Sequence, residues 1–101
     1  MKLHFTGQYR LNIPMLFKTC GYHQTKNIKS ELSYVRALSA SGYPRFHCYT
    51  APAEKGFAAN LHLDQKKPSY GEHTAHSGEY EGPVLEAEAR RITQVLNSLL
   101  R

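Results

Sequence analysis

Two segments of strict alternation, separated by a turn, constrain this chain more than any other feature. Residues 45–50 read RFHCYT and residues 57–64 read FAANLHLD, with APAEKG between them. Successive strand side chains point to opposite faces. Phe46, Cys48 and Thr50 therefore share one face, as do Phe57, Ala59, Leu61 and Leu63. A slip of one residue would turn either apolar set out to water, so both sets belong on the same buried side. The Pro- and Gly-containing link at 51–56 predicts a hairpin loop. The opposite face of this hairpin then collects Arg45, His47, Tyr49, Asn60, His62 and Asp64.

The remaining segments place this hairpin in a fold. Leu3 and Phe5 alternate with polar neighbours near the start, a pattern that permits a short strand or a loosely held terminus. Asn12, Pro14 and Gly21 are start and stop signals for a short helix over 12–21, with Met15, Leu16 and Cys20 turned to the core. Tyr34 and Val35 favour a strand over 32–38, and the Ser/Gly/Pro cluster after it predicts a turn. Gly82 and Pro83 open a longer helix. Its stripe is Leu85, Ala89, Ile92, Val95, Leu96 and Leu99, with Glu86 and Arg90 spaced to pair. The expected fold is α+β: a three-stranded antiparallel sheet, with a short N-terminal and a longer C-terminal helix on one face. The other sheet face stays open. Residues 1–101 form one domain on this reading. Residues 65–82, QKKPSYGEHTAHSGEYEG, form a long loop, a type that is usually functional or disordered.

Charge and cysteine content narrow the setting. The 101 residues carry a formal charge of +5. Residues 1–50 hold seven Lys or Arg against the single acid Glu31, whereas residues 51–101 hold six against seven. A basic surface attracts phosphate-bearing partners. No like-charge run exceeds two residues, so no basic arm or acidic tail is expected. Cys20 and Cys48 make no metal-type or redox-type spacing. No secretory leader and no membrane span are visible, which predicts reduced thiols and a cytoplasmic protein.

Three functions fit the polar face. RNA or a ribonucleoprotein is the first partner expected, because exposed aromatics stack bases while Lys and Arg hold phosphate. Arg45, Lys66 and Lys67 would contact phosphate, Tyr49 and Tyr70 would stack, and Asn60 and His62 would read polar groups. Lys18, Lys26, Lys29 and Arg36 add positive charge. The second function is a hydrolase built on a divalent metal such as zinc, with His47, His62, Asp64 and His76 as ligands. His73 is an alternative donor from the same loop. The same histidines, oriented by Asp64 or Glu79, would also suit metal-free acid–base work. The third function is a protein-interaction scaffold, for which Arg45, Tyr49, Tyr70 and Tyr80 are suitable residue types. No nucleotide-cofactor motif is present, so no cofactor other than a metal is expected.

Two resemblances accompany these readings. The helix–three-strand–helix order is similar to that of double-stranded-RNA-binding domains. Those domains grip phosphate at a lysine-rich start of the last helix, whereas residues 83–88 here are PVLEAE. The segment NLHLDQKKPSYGEHTAHSGEYEG resembles a stretch of short uncharacterised bacterial proteins. That resemblance extends back through Tyr43–His47 and forward into the last helix, over about residues 31–92. It implies a bacterial cytosolic setting and no particular activity.

Overall fold

A computed structural model describes residues 1–25, 32–65, 78–79 and 81–101. The elements in chain order are β1 (Lys2–Thr6), α1 (Ile13–Thr19), β2 (His23–Thr25), β3 (Leu32–Ala37), β4 (Arg45–Ala53), β5 (Gly56–Asp64), β6 (Gly78–Glu79) and α2 (Pro83–Asn97). The α+β class holds, but the sheet is wider than three strands. Five strands lie side by side in the order β1-β5-β4-β3-β2. The two-residue β6 pairs with Leu63 and Asp64 of β5, beyond the stretch paired to β1. All pairings are antiparallel.

The two added full strands explain the difference. β1 contains the Leu3/Phe5 alternation and pairs with residues 56–60 of β5. β2 is His-Gln-Thr, which contains no apolar residue and so carries no readable strand pattern. It exists because its backbone completes β3 at the sheet edge. These strands also break the helix–three-strand–helix order of a duplex-RNA domain.

The hairpin is tighter than the expected 51–56 loop. β4 runs through Ala53 and β5 begins at Gly56, leaving Glu54 and Lys55 as the turn. Gly56 is required there by close approach. A Cβ on it would run into the Phe5 carbonyl oxygen of β1.

The face parity read from the alternation is present in three dimensions. Phe46, Cys48, Thr50, Phe57, Ala59, Leu61 and Leu63 are all buried. Leu16 and Phe17 of α1 and Leu85, Ala89, Ile92 and Leu96 of α2 join the apolar members of that set in one core. Each buried Leu, Ile or Phe stabilises by about 1.5–3 kcal/mol, so this layer holds both helices on one side of the sheet. Val95 and Leu99 pack at its margin.

Asn12 caps α1 as expected, its side chain accepting from the Met15 amide at 2.9 Å. Met15, however, is 43% exposed, and Phe17 takes the core position instead. The reason is an aromatic partner. Phe17 stacks on Tyr34 of β3 with ring centroids 4.8 Å apart.

A buried polar cluster fastens α2. Glu88 sits inside the protein and accepts from the Tyr22 hydroxyl at 2.7 Å. Arg91 donates to its two carboxylate oxygens at 2.7 and 2.8 Å and also reaches the Cys20 carbonyl at 2.7 Å. Arg36 of β3 lies 3.6 Å away. This cluster joins α2 to β3 and to the turn after α1, and it keeps Glu88 on the helix side of the sheet.

Among the described residues, no helix is long and apolar enough to cross a membrane.

Candidate metal centre on the sheet face opposite the helices

Register sets the site. Across β4 and β5, Arg45 faces Asp64, His47 faces His62, Tyr49 faces Asn60 and Ala51 faces Ala58. These four rungs lie on the face opposite the helices. Among the described residues of β1 to β5, Asp64 is the one carboxylate.

Asp64 gathers its neighbours. Arg45 Nε donates to Asp64 Oδ2 at 3.2 Å. His62 Nδ1 lies 2.9 Å from Oδ1, and His47 Nδ1 lies 3.5 Å from Oδ2. Each of His47, His62 and Asp64 offers one donor atom, and these atoms lie within 4.8 Å of one another. A tetrahedral zinc ion with bonds of about 2.0–2.1 Å would hold its donors about 3.4 Å apart.

At His47 the surroundings favour neutral imidazole, the state that ligates metal. Burial holds the His47 pKa below the ordinary histidine value of 6.5, and the neighbouring His62 adds to that lowering. Asp64 opposes the shift, and Arg45 acts in the lowering direction. His47 Nε2 is buried with no hydrogen-bond partner among the described residues. The aromatic contacts fix the rings further. His47 stacks on Tyr49 at 4.3 Å and stands 5.0 Å from His62. Arg45 lies over the Tyr43 ring at 4.8 Å, which holds the guanidinium in place against Asp64.

The expected residues divide in three ways. His47, His62 and Asp64 converge as one cluster. Arg45, Tyr49 and Asn60 share its face, with Arg45 drawn into the Asp64 ion pair. Lys66, Lys67, Tyr70, His73, His76 and Tyr80, like Lys26 and Lys29, lie outside the described residues, as does the Glu79 side chain.

One feature beside the cluster escaped the sequence reading. A hollow of about 330 Å³ lies on the Ala51 side of Tyr49, lined by Lys2, Tyr49, Ala51, Ala58 and Asn60. Lys2 arrives from β1, which pairs it with Asn60. Only the pairing of β1 with β5 reveals that neighbour.

No protein-family model, curated protein or solved structure matches the chain.

Proposed function

We propose that the protein is a metal-dependent hydrolase of the zinc type, with His47, His62 and Asp64 as its ligands. The observation that carries this reading is the convergence of three donor atoms within 4.8 Å on adjacent strands of a rigid sheet. Two imidazoles and one carboxylate are a donor set suited to zinc and related divalent ions. Three protein ligands leave a coordination position for water, and the bound ion would supply Lewis acidity that brings that water's pKa to about 7.

The chain's own residues do the positioning. Arg45 holds one Asp64 oxygen and so sets the carboxylate plane toward the histidines. The Tyr49 ring, packed on His47, shields one flank of the cluster. The His47 and His62 side chains are largely covered, 13% and 11% exposed, and Asp64 is the more accessible at 20%, so a substrate ester would reach the ion past Asp64.

The direct test is turnover of bis(p-nitrophenyl) phosphate and p-nitrophenyl acetate by protein stripped with chelator and then reloaded with zinc or manganese. The expected result is metal-dependent hydrolysis of at least one substrate, lost in Asp64→Asn and His62→Ala. Equal rates in the stripped, reloaded and substituted proteins would overturn the hydrolase reading.

A further inference from the structure

We infer that the hollow beside the metal cluster seats a nucleotide unit, its base against Tyr49 and its phosphate at Lys2. This inference deepens the hydrolase reading, because it names the substrate class of the same face.

The hollow exists because of a rung of small residues. Ala51 and Ala58 face each other directly after the Tyr49–Asn60 rung. With only methyl groups in that rung, the Tyr49 side chain lines the hollow directly. Tyr49 is 36% exposed. A planar base laid over the two alanines would stack on this aromatic flank, a contact that every base can make. Asn60 is exposed beside it and offers both an amide donor and a carbonyl acceptor to a base edge.

Charge selects the rest of the ligand. Lys2 is exposed on β1, directly opposite Asn60 in the register. An ammonium at the rim of an aromatic hollow suits a phosphate attached to a planar ring. The volume of about 330 Å³ lies at the small end of ligand sites, which run from about 300 to 1,000 Å³. It is suited to one nucleotide rather than to a folded partner.

The hollow and the metal cluster adjoin through Tyr49. On this face the Tyr49–Asn60 rung is the next after His47–His62, about 6.8 Å along the strands. Tyr49 contacts both sites, stacking on His47 and lining the hollow. A nucleotide seated there lies one rung of the ladder from His47 and His62, across the Tyr49 ring. The same chemistry is presented by a free nucleotide and by one unit of a single strand.

The experiment titrates 5′-uridine monophosphate and fluorescein-labelled hexauridylate into the full chain, in chelator and again with one equivalent of Co²⁺. The cobalt absorption spectrum reports the metal site separately. The inference expects saturable binding of at least one probe. Binding of both at similar affinity identifies a free nucleotide as the source, and much tighter binding of the hexamer identifies a single strand. Tyr49→Ala should weaken binding by about tenfold or more. Lys2→Ala should make the hexamer's affinity less dependent on salt, lowering the slope by about 1. Ala51→Leu, which fills the hollow from the exposed side, should abolish binding while the cobalt spectrum persists. A normal cobalt spectrum with neither probe bound would overturn the nucleotide inference and leave the metal centre standing. Nucleotide binding without any cobalt signal would instead remove the metal reading. Binding unchanged by Ala51→Leu would show that the hollow is not the site.

Discussion

Arg45 and Asp64 close one end of the β4–β5 ladder, with the guanidinium Nε 3.2 Å from the carboxylate Oδ2. Their register is direct, so the pair lies across a single rung. The contact turns a strand-end carboxylate toward two imidazoles that it could otherwise point away from. Arg45 itself is steadied by the Tyr43 ring.

Removing that orientation should weaken metal binding without abolishing it. Arg45→Met keeps much of the side-chain bulk and takes away the donor. Loss of a partner that orients a ligand typically lowers affinity by about 10- to 100-fold. Competition against a coloured chelator measures this. An unchanged affinity would separate Arg45 from the centre.

Metal should also stabilise the fold. An ion at about 100 times its Kd adds about 2.7 kcal/mol. For a domain of this size that is a Tm increase on the order of 10 °C. Zinc should raise the wild-type Tm, EDTA should reverse the rise, and His62→Ala should show none. The rise should shrink as the pH is lowered, since a protonated imidazole cannot ligate, and the lowered His47 pKa holds that ligand neutral to below its ordinary value of 6.5. A rise of equal size in His62→Ala would place the binding elsewhere.

Glu88 has a separate, structural role. Its side chain is 4% exposed and is contacted by Tyr22, Arg91 and Arg36. Glu88→Ala leaves two guanidiniums and a buried hydroxyl without their acceptor. Both arginines reach solvent, which moderates the loss to about 2–3 kcal/mol of stability. Tyr22→Phe should cost only about 1 kcal/mol, because the arginines still satisfy Glu88. Urea denaturation of both variants tests the order, and Tyr22→Phe proving the more damaging would contradict it.

The two thiols should be inert in the native protein. Burial pushes the Cys20 pKa up to about 11 and that of Cys48 up to about 12. Both exceed the unfolded thiol value of 9.0, so the folded state favours the protonated form. The stabilisation is complete below pH 9 and declines as pH rises through the folded values. Native protein at pH 8 should react with a thiol reagent only as fast as it opens, and unfolded protein should react at once. Rapid labelling under native conditions would show that a thiol is exposed.

The parts of this architecture that were legible are those where apolar side chains mark a period. RFHCYT and FAANLHLD carry strict alternation, and they produced the face assignment that brings His47, His62 and Asp64 together. The α2 stripe from Leu85 to Leu99 was visible for the same reason. β2 was not, because His23, Gln24 and Thr25 carry no apolar signal and the strand is made by backbone pairing to β3. Met15 and Phe17 could not be ranked by helical period alone, since Tyr34 decides which one is buried. Glu88 carries no local sign of burial, which depends on Tyr22 and on two arginines, one from another element. The Lys2 contribution to the hollow needed the β1–β5 pairing, a contact between the N-terminal strand and residues 56–60 that no local pattern encodes.

The central claim is that His47, His62 and Asp64 together hold a divalent ion. Native mass spectrometry of protein purified without affinity-metal resin, then given zinc at increasing ratios, tests it most directly. The account predicts one tightly retained zinc per chain in the wild type, and none in Asp64→Asn or His62→Ala. Zinc binding that is absent, or equally retained by both variants, would contradict it.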